Sequence, residues 1–217
     1  MAIQIHTVVS EPFAENSYIV WRKGASDAIV VDPGFEPEPI IEFLGERNLS
    51  LVAIVNTHGH VDHIAGNAAM KHVFPRAPIV IGERDAPMLT DANLNMSAGY
   101  GIPIISPPAD RLLKEGEVLE VAGLRLEVLD IPGHSPGHVV FVIRKTKPIT
   151  VLGGDVLFRG SIGRTDFPGG SFPMLKANIE RVLWPLPPDT VVYPGHGPFT
   201  TVGHEKRTNP FVGANAE

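Results

Sequence analysis

Residues 56–63 read NTHGHVDH, so three histidines and an aspartate fall within positions 58–63, directly after the apolar run LVAIV. Imidazole nitrogen and carboxylate oxygen at this density suit a divalent ion such as zinc, iron or manganese. His58 and His60 flank Gly59, so an extended turn aims both the same way, while Asp62 and His63 open the next helix and point elsewhere. Two directions imply two ions. The same logic recurs down the chain: LRLEVLDIPGH reaches His134, ITVLGGD reaches Asp155, TVVYPGH reaches His196, and AIVVDPG reaches Asp32. With His58, His60, Asp62 and His63, the residues His134, Asp155 and His196 make more donors than the four that close a structural zinc site, which leaves positions open for water. A carboxylate such as Asp155 can bridge two ions. Asp32, in a DPG turn, fits either a purely structural role or one of orienting a ligand histidine from behind.

A serine mechanism competes for part of this set. GHSPG (133–137) matches the nucleophile-elbow pattern, and Ser135, Asp155 and His196 follow in the order of an α/β-hydrolase triad. That mechanism takes an oxyanion donor from the backbone N–H after the serine, and Pro136 has none. It also leaves positions 58–63 without a purpose. The remaining histidines, His6, His72, His138 and His204, read as ordinary strand or surface residues; His138 stands out only because it lies four positions after His134.

The elements that must position these groups are legible as short β-branched runs bounded by Gly, Pro and Asp: IQIHTVV, SYIVW, DAIVV, LVAIV, APIVI, LRLEVLDI, HVVFVI, ITVLG and TVVYP. Helix-like stretches lie between some of them: EPEPIIEFLGERN, DHIAGNAAMKHVF, GERDAPMLT and SFPMLKANIERVLWPL. EVLEVAGLRLEVLD reads as a hairpin turning at Gly123, and the Gly- and Pro-rich stretch 94–111 as a surface loop or lid. The candidate ligands sit just past strand C-termini, where layered α/β proteins collect functional groups. No composition break divides the 217 residues, which predicts one α/β domain over 1–217, with sheets covered by helices.

Zero cysteines exclude disulfides and thiolate ligands. A net charge of −6 without a basic stripe argues against nucleic acid as partner. The N-terminal stretch lacks a basic segment followed by a long apolar one, and no apolar run approaches the ~20 residues of a membrane span, so a soluble, cytoplasmic protein without a membrane partner is expected.

The motifs THGHVDH, PGHSPGH, GGDVLF and PGHGP, in this order and spanning nearly the whole chain, resemble the metallo-β-lactamase fold superfamily. The resemblance implies a four-layer αβ/βα sandwich of two mixed β-sheets flanked by helices, with metals at the sheet edge. GDVLFRGSIGRTDFPGG and YPGHGPFTTVGHEKRTNPF are similar to short hydroxyacylglutathione hydrolases of the glyoxalase II type. From this it follows that His58, His60 and His134 would hold one ion and Asp62, His63 and His196 the other, with Asp155 bridging and Arg164 near the glutathione part of the substrate. The implied reaction is hydrolysis of a small thioester, S-(2-hydroxyacyl)glutathione, by hydroxide on two divalent ions, zinc before iron or manganese, with Asp62 orienting the nucleophile and accepting its proton. Persulfide dioxygenases resemble the chain as well; on that reading one iron is held by His58, His134 and Asp155.

Overall fold

The computed structural model describes residues 2–216. The first sheet is built in chain order from β1 (Ile3–Ser10), β2 (Glu15–Arg22), β3 (Asp27–Val31), β4 (Ser50–Val55), β5 (Ile79–Gly82) and β6 (Arg111–Leu113). Between its strands lie α1 (Glu38–Glu46), α2 (Val61–Ile64) and α3 (Asn67–Val73). β7 (Val118–Val121), β8 (Leu124–Asp130), β9 (Val139–Ile143) and β10 (Thr150–Gly154) begin the second sheet. A two-stranded ribbon of β11 (Leu157–Phe158) and β12 (Ser161–Ile162) follows, then α4 (Phe172–Val182), β13 (Val191–Pro194), β14 (Thr200–Thr201) and α5 (Val202–Thr208). The second sheet runs β14-β13-β10-β9-β8-β7.

Strand periodicity explains the layers. Along β2, Tyr18 and Val20 face the second sheet, while Ile19 and Trp21 face α1 and α3. Along β9, Val139, Phe141 and Ile143 face the first sheet, while Val140 and Val142 face α4 and α5. Successive residues point to opposite sides, so a strand covered on both faces must be apolar throughout; β9 (VVFVI) accordingly reads as an unbroken apolar run, as does β3 after its exposed Asp27. Three clusters result: helix against sheet, sheet against sheet, and sheet against helix, the four-layer sandwich. The hairpin predicted at Gly123 is present, with Val121 paired to Leu124.

Both sheets are mixed. β3, β4, β5 and β6 are parallel to one another in the first, and β10 and β13 in the second. The C-termini of β3, β4, β10 and β13 meet at one rim, where β2 and β9 begin. Asn16, next to that start of β2, donates from Nδ2 to the carbonyls of Pro194 and Gly197 at 3.0 and 2.7 Å, tying the sheets together across the rim.

The structure differs from expectation in the shortest elements. DHIAGNAAMKHVF holds two helices broken at Gly66, which comes so close to the 33–34 turn that a Cβ would lie 2.6 Å from the Gly34 carbonyl oxygen. GERDAPMLT forms only a 3₁₀ turn over Ala86–Thr90, and the 94–111 loop carries another over Ser97–Tyr100. β6, β11, β12, β14 and α5 have no counterpart in the sequence reading. Two- and three-residue strands have no period to detect. α5 begins on a strand-like Thr-Thr-Val, and its N-terminus is fixed by Thr201 Oγ1, which accepts from the His204 N–H.

Candidate metal centre

The rim brings all seven candidate ligands together. His58 follows β4 and is fully buried, as is His63 on α2; Asp155 follows β10, and His134 and His196 come from the loops after β8 and β13. Donor atoms of His58, His60 and His134 converge on one point, and those of Asp62, His63 and His196 on another. Asp155 lies between them, with Oδ2 3.5 Å from His134 Nε2 and 3.4 Å from His196 Nε2, and Oδ1 3.4 Å from His63 Nε2. The predicted difference in aim across Gly59 to His63 is therefore what the backbone produces.

Four of the five histidines are anchored from behind. His63 Nδ1 faces Asp32 Oδ2 at 3.1 Å, His134 Nδ1 faces the Arg164 carbonyl at 2.7 Å, and His196 Nδ1 faces the Phe13 carbonyl at 3.1 Å. His58 Nδ1 lies 3.1 Å from Thr57 Oγ1, whose own hydrogen goes to Asp32 Oδ2 at 2.6 Å. An acceptor behind Nδ1 places the proton there and leaves the Nε2 lone pair facing the centre, the arrangement typical of metal-ligating histidine. Asp32, the third member of another His58–His63 grouping, has both oxygens occupied by Thr57 and His63. That assigns it the orienting geometry, not a free donor.

The inner atoms lack partners. His58 Nε2, His63 Nε2 and Asp155 Oδ1 are buried without a hydrogen bond, and an unpaired buried polar atom costs about 1–3 kcal/mol. His60 Nδ1 and His134 Nε2 face each other at 2.9 Å. Gly195 keeps the space clear: a Cβ there would sit 2.1 Å from Asp155 Oδ1 and 2.7 Å from His63 Cε1. Orphaned nitrogen and oxygen atoms around a space guarded by glycine fit divalent cations.

The electrostatics divide the set. Burial, reinforced by neighbouring histidines, pushes His58 well below the ordinary imidazole range, and burial with His134 pushes His60 down to about 3. On the other side, burial is outweighed: Asp62 and Asp155 hold His63 well above its usual value, and hydrogen bonds to Asp155 and Asp62 raise His196 to about 10. His63 and His196 in turn hold both carboxyls below the usual range against their burial.

Several contributors were not anticipated. His138, read as an ordinary residue, is fully buried; its Nε2 accepts from the Asp155 N–H at 2.9 Å and its ring lies over His58 at 4.7 Å. It supports one candidate ligand and packs on another. Asp85 is buried too, accepting from Ser135 Oγ (2.6 Å), Gly137 N (2.6 Å) and Gly59 N (3.2 Å). It clamps the 58–60 turn to the 133–138 loop, and it consumes the Ser135 hydroxyl that a serine mechanism would need. Glu15 lies behind His63, Oε1 3.8 Å from Nδ1, where burial drives its carboxyl well above the usual range. The one advance sign of Glu15 was an acid leading into the apolar strand SYIVW.

The centre opens into a cavity of about 290 Å³. Apart from candidate ligands, the polar side chains on its wall are Arg164 and Tyr100. The Arg164 guanidinium is exposed, forks onto Asp166 at 2.7 and 2.8 Å, and stacks over Phe167 at 3.9 Å.

A four-layer sandwich with a histidine–aspartate cluster at the sheet rim defines a class of metal-dependent enzymes, and residues 10–196 match the family described as the Metallo-beta-lactamase superfamily. The chain belongs to that superfamily and stands among its metallo-hydrolases. It is 36% identical over 218 residues to hydroxyacylglutathione hydrolase GloC of Haemophilus influenzae, covering 100% of both chains. Two solved structures superpose closely: BLEG-1 B3 metallo-beta-lactamase, with TM-score 0.91, 36% identity and 96% and 99% of the two chains covered, and TTHA1623 in a di-iron-bound form, with 0.83, 39%, 95% and 99%. Among the described residues, no helix is long and apolar enough to cross a membrane.

Proposed function

We propose that the protein hydrolyses small thioesters, with S-(2-hydroxyacyl)glutathione the first candidate substrate, at a centre of two divalent cations. The observation that carries this reading is the set of four histidines anchored through Nδ1, with buried Nε2 and carboxylate atoms left without partners between them. His58, His60 and His134 would hold one cation; Asp62, His63 and His196 the other, with Asp155 shared. Zinc, iron and manganese all suit these donors. Such cations lower the pKa of water to ~7 and polarise a carbonyl.

The chain's own part follows from its geometry. Asp62, on the cavity wall and 3.2 Å from His196, orients the attacking water and accepts its proton. Arg164, at the cavity mouth and stacked on Phe167, meets a carboxylate of the thiol carrier. A leaving thiolate, with pKa ~8.5, departs without an acid, whereas an amide nitrogen must be protonated. Among the described residues, the only polar side chains the wall adds beyond the candidate ligands are Arg164 and Tyr100, which favours thioesters over amides and β-lactams.

Protein loaded separately with zinc, manganese and iron, assayed with S-lactoylglutathione, a β-lactam and glutathione persulfide, tests this. Metal-dependent loss of the thioester, abolished by a chelator, is expected. One iron per chain with oxygen uptake on the persulfide and an inert thioester would replace this reading with the dioxygenase.

A further inference from the structure

A second, apolar cavity of about 190 Å³ adjoins the first, walled mainly by Phe13, Phe35, Val61, Tyr100 and Ile102. Phe13, Val61 and Tyr100 line both. Phe13 anchors the wall, its ring 5.6 Å from Phe35 and 5.3 Å from Tyr100. Among the described residues, no charged side chain lines this space. Its one hydroxyl besides that of Tyr100, on Ser97, is occupied by backbone partners Ala92, Ile104 and the Ile104 N–H. Tyr100 and Ile102 are left 49% and 56% exposed around it, an apolar surface beside a polar site of the kind that marks ligand contact.

From this geometry we infer that the second cavity is the acyl subsite, and that among small thioesters of the carrier proposed above those with a longer unbranched apolar acyl chain are turned over faster than those with a shorter one. The inference rests on the thioesterase reading. A thioester has two arms on either side of its carbonyl, and the cavity lining offers two unlike features: the Arg164 guanidinium, and the Phe13, Val61 and Tyr100 side chains that it shares with the apolar space. A carboxylate-bearing thiol carrier matches the cationic feature, which leaves the acyl arm to the apolar one. The space is of a size to hold a short alkyl chain. Phe35 and Ile102 belong to this cavity and not to the first, so they set chain-length preference without touching the reacting carbonyl.

The test uses zinc-loaded protein with S-acetyl-, S-butanoyl- and S-hexanoylglutathione, and calorimetric binding of the non-hydrolysable thioethers S-methyl- and S-hexylglutathione. kcat/KM should rise about threefold per methylene along the acyl series, and S-hexylglutathione should bind more tightly than S-methylglutathione. Ile102→Ser, at an exposed position, and Phe35→Ala should flatten both dependences. Turnover that is flat or falls with chain length overturns the subsite and leaves the thioesterase standing. No turnover of any thioester, with a binding preference for hexyl that Ile102→Ser erases, overturns the thioesterase and leaves the apolar subsite. Neither turnover nor a binding preference overturns both.

Discussion

The His58–His60–His134 cluster and the Asp62–His63–His196 cluster lie side by side around Asp155, yet His58 and His60 in one are shifted down while His63 and His196 in the other are shifted up. In the first, burial and neighbouring imidazoles push His58 well down and His60 to about 3, so the lone pairs of these two stand ready for a cation. In the second, carboxylates hold His63 and His196 protonated, the latter raised to about 10, so a cation must displace protons. Similar donors thus offer different metal chemistry because in one cluster burial and neighbouring imidazoles dominate, while in the other carboxylates outweigh burial. The first should bind with little pH dependence; the second should tighten as pH rises.

The comparison breaks most severely at the shared atom. Asp155→Ala should cost about 10³-fold or more in kcat/KM and lower metal content in both clusters, not one; elemental analysis showing one cation fully retained would mean that Asp155 serves a single ion. Next comes the clamp behind the neutral cluster. Asp85→Ala strands three buried donors and should destabilise the fold by about 2–4 kcal/mol in urea titration, with Asp85→Asn milder.

The orienting residue of the acidic cluster should matter less. Asp32→Asn is expected to weaken metal binding about 10–100-fold at that cluster, where it faces His63 directly, and less at the other, where it reaches His58 only through Thr57, as competition with a chromophoric chelator would resolve. The two clusters should also separate by pH in metal-free protein. His196, raised to about 10 from 6.5, adds stability that is fully present below pH 6.5 and lost as pH climbs through 10. His60, lowered to about 3, acts oppositely: below 6.5 the unfolded chain takes up a proton the folded chain refuses, so stability falls toward pH 3. Urea midpoints from pH 4 to 10 for the parent, His196→Ala and His60→Ala check both signs, and zinc loading should mute them. The smallest effect belongs to Arg164→Ala: an exposed charge at the mouth predicts a KM about two- to fivefold higher with kcat unchanged.

Much of this centre was legible because its donors follow strand ends in short contiguous motifs. NTHGHVDH carries its geometry in its spacing: glycine sets the direction of His58 and His60, and the helix start redirects Asp62 and His63. The covered strands were legible for a related reason, since burial on both faces leaves an unbroken apolar run. The residues that hold the donors in place were not. Asp85 sits in GERD, which reads as the polar start of a surface helix, and its three partners lie 26, 50 and 52 positions away. His138 looked ordinary because its partner is the backbone N–H of Asp155, seventeen residues on, and a backbone group leaves no mark in a sequence. Local periodicity reports which face is buried; it does not report which buried polar groups find each other.

The hydrogen atom that stands for a side chain at Gly195 has one more implication. A single methyl there would plug the space between His63 and Asp155 while every donor stayed in the chain, so Gly195→Ala amounts to a stopper that separates loss of room from loss of chemistry. The absence of a Cβ at that position is what keeps the space clear, and Gly195→Ala therefore tests whether room there is needed for cation binding in this chain.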